Sequence, residues 1–241
     1  MNVNITSEDY DKNIRIEGIQ YQIDHYYEPL EAFRKSRIDI VINDLQPSTG
    51  EAILDLGCGC GTFAFYCAKA GAKATGIDYS KESINAAKQI TARYTLKGSA
   101  DFMVGNALKL PFEDSYFDKV VSADFIEHIT DEEKVTLCKE IRRVLKDNGS
   151  AVIFTPNKTR EDIGHVFAVL RHLLYGRKIP HTDLHYGLIT KRKFEKILSE
   201  GGFDYNFKLT DMMRPYLARI PVLNALLAYN MLWTVRKSNI K

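Results

Sequence analysis

A strand that runs directly into three alternating glycines is the feature that most constrains this chain. Residues 52–56 read Ala-Ile-Leu-Asp-Leu, and the glycines follow at Gly57, Gly59 and Gly61. Glycines let the backbone turn sharply and let a ligand approach it without a side-chain clash. Asp78 ends a second apolar segment further along, and a carboxylate in that position can accept both hydroxyls of a ribose. Together the loop and the carboxylate predict a nucleoside-binding site.

The spacing of the glycines separates the candidate nucleosides. Loops that bind dinucleotides read G-x-G-x-x-G, and their third glycine opens a helix that binds pyrophosphate. In this chain the third glycine, Gly61, comes one residue early, and Thr62 stands where the dinucleotide pattern needs glycine. A G-x-G-x-G loop suits a ligand without pyrophosphate. The spacing therefore favours S-adenosylmethionine over NAD.

Four motifs in a fixed order carry a family resemblance. They are residues 54–61, residues 76–80, Gly105-Asn106-Ala107 followed by Leu110-Pro111-Phe112, and Glu127-His128-Ile129. Over roughly residues 50–157 the chain resembles the class I (Rossmann-like) S-adenosylmethionine-dependent methyltransferases. Its motifs are most similar in kind to those of ubiquinone-biosynthesis-type small-molecule O-methyltransferases. The resemblance implies S-adenosylmethionine as cofactor.

The order of predicted elements indicates an α/β fold with a doubly wound sheet. Strands are predicted at residues 52–56, 74–78, 101–104, 119–123 and 151–155, and helices at about residues 62–70, 81–95 and 131–145. Two closing strands are predicted at about residues 205–209 and 230–235. The resemblance implies a seven-stranded, mostly parallel sheet whose antiparallel last strand lies beside strand five.

Three local signals mark where helices begin and end. Thr130 with Glu133 predicts a capping box at a helix start. Asp147-Asn148-Gly149 predicts a turn after that helix, and Thr190 is predicted to cap a helix that runs to Glu200.

We divide the chain into two parts. Residues 1–48 are predicted to form an N-terminal helical segment of two helices that lie over the active site at the carboxyl edge of the sheet. Residues 49–241 are predicted to form the methyltransferase domain, with a helical cap insertion at about residues 158–190.

The charge is distributed unevenly although the net charge is only +2. Residues 158–241 hold 15 Lys and Arg against 7 Asp and Glu, a balance of +8, and residues 1–157 carry −6. A basic C-terminal part predicts contact with something anionic, such as a phospholipid surface or an acidic substrate. A basic cap without any such partner is the alternative.

The predicted cofactor site combines the loop with the ends of later strands. The resemblance implies that Asp55 faces the methionine amino group, Asp78 holds the ribose, and Tyr79 lays its ring on adenine. Asn106 stands where the family more often has Asp, and its amide oxygen can still accept from the adenine amino group. The predicted cofactor-binding residues are Asp55, Gly57, Cys58, Gly59, Gly61, Asp78, Tyr79, Asn106, Ala107 and Ala123.

Two histidines are the predicted catalytic residues. Methyl transfer from a sulfonium needs the nucleophile about 3–3.5 Å from the methyl carbon and in line with the sulfur. A base is needed only when the nucleophile carries a proton, and imidazole accepts one near neutral pH. His128 follows strand four, and His185 precedes a helix in the cap. The alternative is that His128 shapes the wall and His185 fixes the cap.

The function predicted is methyl transfer from S-adenosylmethionine to a small, amphiphilic acceptor, with oxygen favoured. The alternatives are N- or C-methylation of a soluble sugar or secondary metabolite, and a non-catalytic S-adenosylmethionine-binding protein. Nucleic acid is not a predicted partner, because the basic residues are mixed with apolar ones and form no phosphate-tracking stripe.

The surroundings of the protein are predicted from its cysteines and its hydropathy. The four cysteines are too scattered for a disulfide framework and lack the spacing of a metal site, so no metal is predicted. Reduced thiols indicate a cytoplasmic setting, and no secretory signal or uninterrupted apolar span appears in the sequence. An apolar stripe at residues 163–174 with nearby cations predicts peripheral contact of the cap with the inner face of a membrane, and packing on the sheet is the alternative.

Overall fold

One seven-stranded sheet organises the computed structural model, which describes residues 7–175, 186–211 and 228–238. The strands are β1 (Ala52–Leu56), β2 (Lys73–Asp78), β3 (Ser99–Val104), β4 (Phe117–Ala123), β5 (Leu145–Pro156), β6 (Phe203–Thr210) and β7 (Asn230–Lys237). Their spatial order is β3-β2-β1-β4-β5-β7-β6.

The direction of the strands confirms the predicted fold class. β1 to β5 pair in parallel, and β7 is antiparallel to both of its neighbours, β5 and β6. The last strand thus lies beside the fifth, as the resemblance implied. The order reverses between β1 and β4, and in open α/β sheets ligands bind at such a switch point beyond the carboxyl ends of the strands.

Helices cover both faces of the sheet. They are α1 (Ser7–Gln22), α2 (Ala32–Leu45), α3 (Thr62–Lys69), α4 (Lys81–Thr91), α5 (Asp131–Val144), α6 (Lys158–Tyr175) and α7 (Lys191–Glu200). A π-helical turn, Ile23–Tyr27, follows α1, and a 3₁₀ turn, Ile126–His128, follows β4.

The alternation of side chains along the strands builds one core on each face. Leu54 and Leu56 of β1 pack toward the side where α5 and α7 lie, in a cluster that includes Trp233 of β7. Ile53 points to the other side, where a second cluster includes Val41 of α2 and residues of α3 and α4. Since both faces are apolar, the sheet is buried between two helical layers.

Both N-terminal helices have residues at the carboxyl edge of the sheet: α1 and the π-helical turn lie there, and α2 reaches it through Arg37. The apolar stripe of α2 packs on a face of the sheet, because Ile38, Val41 and Leu45 recur at helical spacing and are all buried. The division of the chain at residue 48 stays a prediction.

The local signals have mixed outcomes. Thr130 and Glu133 form the predicted capping box of α5. Thr190 stands at the N-cap of α7, but its side chain makes no cap hydrogen bond with any residue that the structure describes. The turn predicted at residues 147–149 is wrong as a separate element: β5 already begins at Leu145, and the β4–β5 register shifts between Phe117 and Lys119 to accommodate these residues.

The cap is described only in part. α6 extends the apolar helix predicted at residues 163–174 in both directions, and residues 176–185 lie outside the described residues. The limits of the cap insertion stay a prediction. Among the described helices, none combines the length and the apolar character needed to cross a membrane.

Candidate functional site

One cavity of about 640 Å³ opens at the carboxyl ends of the central strands. Its size lies within the roughly 300–1,000 Å³ that is usual for small-molecule sites. The β1–α3 loop and the ends of β2 and β4 form one side, and α1 with the π-helical turn forms another. The residues that line the cavity include Ile14, Glu17, Gln22, Tyr26, Arg37, Gly57, Cys58, Gly59, Phe63, Asp78, Tyr79, Asn106, Ala107, Ala123, Asp124, Phe125, His128, Ile129 and Tyr186.

Gly59 is the glycine that faces open space. Its φ of +51° lies in the left-handed region, and a Cβ built there would meet no heavy atom of the described residues within 4 Å. Its amide donates to Oδ2 of Asp78 at 2.8 Å. The loop therefore presents bare backbone to the cavity at this point and is tied to the end of β2.

Gly57 and Gly61 share the left-handed backbone, with φ of +66° and +88°, and close packing gives a second reason for glycine there. A Cβ at Gly57 would collide with the ring of Phe125, and one at Gly61 would lie 2.5 Å from Cε1 of Phe102. Gly61 is also the N-cap of α3. The alternating glycines thus combine one open position with two close-packed ones.

Asp78 lies where the nucleoside prediction needs a carboxylate. Its Oδ2 accepts the Gly59 amide, and its Oδ1 accepts the Ser80 amide at 2.9 Å. Burial raises the pKa of Asp78, and the hydrogen bonds from Ser80 and Gly59 oppose that rise. Each carboxylate oxygen can accept further hydrogen bonds, so ribose hydroxyls can still be bound.

Asp55 is buried beneath the loop. Its Oδ2 accepts the Ala64 amide at 2.9 Å in the first turn of α3, where a carboxylate also interacts favourably with the helix dipole. Burial raises the pKa of Asp55 to about 7, and the Ala64 bond opposes the rise. The structure thus gives Asp55 a role in holding the loop to α3, and its predicted contact with the methionine amino group stays a prediction.

The other predicted cofactor residues lie around the same cavity. Cys58, Tyr79, Ala107 and Ala123 line it, as does Asn106. The amide oxygen of Asn106 already accepts the Leu108 amide at 2.8 Å, so this side chain also fixes the loop after β3. The cavity, the open glycine and the β2 carboxylate fit an adenosine-type cofactor, and the binding role of each residue stays a prediction.

His128 ends the 3₁₀ turn after β4 and lines the cavity. The Tyr186 hydroxyl donates to the His128 carbonyl, and the Gly187 amide donates to the Glu127 carbonyl at 2.8 Å. The chain entering α7 is therefore docked on the turn that carries His128. His185 lies outside the described residues. A catalytic role for either histidine stays a prediction.

Asp124 and Arg37 are cavity residues that the sequence analysis missed. Asp124 directly follows β4 and has a φ of +53°, which is unusual for a residue with a side chain. Its carboxylate pairs with Arg37 of α2, whose guanidinium lies 4.9 Å from the centre of the Phe63 ring. The position of Asp124 after a central strand was a usable signal. Arg37 carried none, because its partner is 87 residues away.

Glu127 is a buried carboxyl behind the cavity wall. Thr155 donates to its Oε2 at 2.9 Å. Burial, together with the nearby charge of Asp124, raises the pKa of Glu127 to about 8. At neutral pH this carboxyl is therefore protonated, and its role in the Glu-His-Ile motif is to hold β5 against the 3₁₀ turn.

The N-terminal segment closes the side of the cavity opposite β4. Ile14 and Glu17 of α1 line it together with Gln22 and Tyr26. Tyr27 fixes this segment, because its hydroxyl donates to the Cys60 carbonyl in the glycine loop. All four cysteines of the chain are free and buried.

Comparison with known proteins agrees with this site. Residues 53–149 match a family model described as a methyltransferase domain. The chain is 27% identical over 209 residues to the sterol 4-C-methyltransferase strm-1 of Caenorhabditis elegans, covering 81% of this chain and 62% of that protein. It is 31% identical over 154 residues to a ubiquinone biosynthesis O-methyltransferase of Pelagibacter ubique, covering 60% of this chain and 61% of that protein. The chain thus spans less than two thirds of the length of these relatives.

The fold has a solved counterpart. A phosphoethanolamine N-methyltransferase 2 of Haemonchus contortus, in complex with phosphomonomethylethanolamine and S-adenosylhomocysteine, superposes with a TM-score of 0.68 at 18% identity, covering 98% of this chain and 61% of that one. At this identity the likeness concerns the fold.

Residues 53–149 thus match a methyltransferase domain, and the fold resembles that of solved S-adenosylmethionine-dependent methyltransferases. The predicted resemblance to the S-adenosylmethionine-dependent methyltransferases is confirmed by these matches. Methyl transfer by this chain and S-adenosylmethionine as its cofactor stay proposals.

Proposed function

We propose that this protein transfers the methyl group of S-adenosylmethionine to an oxygen atom of a small, amphiphilic acceptor. The observation that carries the proposal is that one cavity holds two kinds of lining residues. The open backbone at Gly59 and the carboxylate of Asp78 suit a nucleoside cofactor. The same cavity is lined by His128 and Asp124 and by the apolar residues Ile14 and Phe125.

Methyl transfer depends mainly on how the two reactants are positioned. S-adenosylmethionine supplies an activated methyl group, and the protein must hold a nucleophile in line with it at about 3–3.5 Å. Residues of α1 and of the end of β4 line the cavity in which the two reactants would be held. His128 is the side chain we assign to accept the hydroxyl proton of the acceptor as the new bond forms.

The wall chemistry supports an amphiphilic acceptor. Ile14, Phe125 and Ile129 offer apolar surface, and the Arg37–Asp124 pair offers charged hydrogen-bonding groups to the same cavity. Relatives named for sterol and ubiquinone biosynthesis support a ring-bearing acceptor. Relatives named for C- and O-methylation both occur, so the choice of oxygen rests on His128.

The test uses isotopically labelled S-adenosylmethionine with a panel of acceptors: a prenylated phenol, a sterol, a hydrophobic amine and a free sugar. Mass spectrometry then locates the methyl group. We expect transfer to the phenol oxygen and no transfer by Asp78→Ala. Transfer to nitrogen or carbon alone would replace O-methylation by the N- or C-methylation alternative. Tight cofactor binding without any transfer would favour a non-catalytic binding protein.

We also propose that the cap meets a membrane surface to collect this acceptor. Two apolar side chains of α6, Val166 and Leu174, are 57% and 72% exposed, and apolar faces flanked by cations bind anionic bilayers. We expect sedimentation with anionic vesicles that weakens at high salt. Arg177→Glu with Lys178→Glu should reduce it, and Lys88→Glu, on α4, is the matched control. Equal binding to neutral vesicles, or none at all, would refute membrane contact.

A further inference from the structure

A carboxylate of α1 reaches the beginning of α4. Oδ1 of Asp11 accepts the Ser80 hydroxyl at 2.5 Å and the Glu82 amide at 3.2 Å. Ser80 is the N-cap of α4, and its Oγ also accepts the Ser83 amide at 3.0 Å. Asp11 therefore supplements the cap of a helix to which it does not belong, at the end where negative charge is favourable.

Ser80 connects this contact with the cofactor site. Its hydroxyl donates to Asp11, and its amide donates to Oδ1 of Asp78 at 2.9 Å. The two donors of one buried serine thus hold two carboxylates, one from the N-terminal segment and one from the end of β2. A serine hydroxyl without such a partner can rotate, and the backbone beside it is then less constrained.

The same helix carries part of the cavity wall. Ile14 and Glu17 line the cavity one turn or more beyond Asp11. At Gly18 the helix is kinked, with φ and ψ of 75° and 169°. A side chain at this position would have space among the described residues but would strain the backbone. The segment before Gly18 thus meets α4 at Asp11 and turns at a residue suited to the kink.

We propose that Asp11 is a positioning residue of the cofactor site: by fixing Ser80 it fixes the ribose-binding Asp78, so that the site is complete only while α1 lies on α4. The inference rests on the proposed function, since it assigns the ribose to Asp78. α1 then has two roles: it lines the cavity, and through Asp11 it completes the part of the site that binds adenosine.

A neighbouring contact separates this role from simple docking of α1. Arg15 also joins α1 to α4, through an ion pair with Glu82 at 3.1 Å, and its side chain is 66% exposed. Exposed pairs of this kind add little stability. Arg15→Ala therefore removes an α1–α4 contact without touching Ser80, and it is the matched control for Asp11→Ala.

The experiment is calorimetric titration of the full chain with S-adenosylhomocysteine. We expect Asp11→Ala to raise the Kd about tenfold, which corresponds to one good hydrogen bond to a charged group. Asp11→Asn keeps an acceptor oxygen for Ser80 and should restore most of the affinity, to within about threefold of the parent. Arg15→Ala should leave the Kd within about twofold of the parent.

A double-mutant cycle with Asp78→Asn gives the second measurement. If Asp11 acts through Asp78, its effect on the Kd shrinks in that background. If Asp11 only docks α1, the effect is the same in both backgrounds. Equal effects, an unchanged Kd for Asp11→Ala, or an Arg15→Ala effect as large as that of Asp11→Ala would each overturn the inference. Failure of the parent protein to bind S-adenosylhomocysteine would instead overturn the proposed function.

Discussion

Replacing Asp78 by alanine should do more damage to cofactor binding than any other single truncation at the site. The carboxylate has two sets of partners. It accepts the amides of Gly59 and Ser80 at 2.8 and 2.9 Å within the protein, and it is assigned to the two ribose hydroxyls of the ligand. Asp78→Ala removes the ligand contacts and also releases the loop that must approach the ligand.

The magnitude follows from these bonds. A hydrogen bond to a charged group contributes about 1.5–3 kcal/mol. Loss of two hydroxyl contacts therefore predicts about 3–6 kcal/mol of binding free energy, or a rise in Kd of about 10²–10⁴-fold. Burial raises the pKa of Asp78, so part of its charge is withheld at low pH. The measured loss should therefore shrink as the pH falls and the parent carboxyl becomes protonated.

The assay is calorimetry with S-adenosylhomocysteine, paired with NAD as a ligand that the glycine spacing excludes. Asp101→Ala, a truncation of an exposed carboxylate on the adjacent strand β3, is the matched control and should bind like the parent. Far-ultraviolet circular dichroism verifies that each variant is folded. A folded Asp78→Ala protein with the parent Kd would show that the ribose lies elsewhere, and tight NAD binding would refute the reading of the glycine loop.

Three further predictions concern single side chains. Gly59→Val should abolish measurable cofactor binding, because a branched residue strains a backbone with a φ of +51° and fills the space through which the ligand approaches. Gly59→Ala should weaken binding less. Calorimetry measures both affinities. His128→Ala should lower kcat and leave S-adenosylhomocysteine affinity unchanged, and an unchanged kcat would remove its assignment as base. Because burial raises the pKa of Glu127 from 4.5 to about 8, its stabilising contribution is complete below pH 4.5 and is lost as the pH rises to about 8, at up to about 1.4 kcal/mol per pH unit. Glu127→Gln should flatten that part of the pH dependence in urea unfolding, and parallel curves for the two proteins would contradict it.

The sheet and the cofactor side of the site could be predicted from sequence because their signals are local. β1 was predicted at its observed limits, since an apolar run stops at a glycine loop. Asp78 ends β2 and accepts a hydrogen bond from Gly59, which lies 19 residues earlier in the sequence. The pairing of β1 with β2 brings these two residues together. The antiparallel β7 followed from family resemblance and not from periodicity.

The differences from the prediction came from tertiary context. α2 was predicted over the carboxyl edge of the sheet; its Arg37 reaches that edge, and its apolar stripe through Val41 and Leu45 packs on a face, which helical spacing alone does not indicate. The turn predicted at residues 147–149 was overruled because the β4–β5 ladder extends past it to Leu145. At residues 147–149 local turn propensity was thus outweighed by long-range strand pairing.

The residues proposed for the acceptor side of the cavity could not be predicted from the sequence, because they become neighbours only on folding. Arg37 meets Asp124 across 87 positions, and Tyr186 meets His128 across 58. A left-handed aspartate is likewise invisible in sequence, because aspartate usually adopts φ < 0. Asp124 could have been predicted as a site residue, because it is a charged residue directly after β4. The sequence analysis named only His128 in this region.

Cofactor binding and acceptor specificity are proposed to depend on different parts of the chain. The proposed cofactor contacts lie on the β1–α3 loop and at the strand ends. The proposed acceptor contacts lie on α1, α2 and the chain entering α7, which reach the cavity through long-range contacts such as Arg37–Asp124. Substitutions in those segments should therefore change which acceptor is methylated, whereas substitutions at Gly59 or Asp78 should reduce methylation of every acceptor alike. Asp11 links the two sides, because it lies on a segment of the acceptor wall and holds the serine beside the ribose carboxylate.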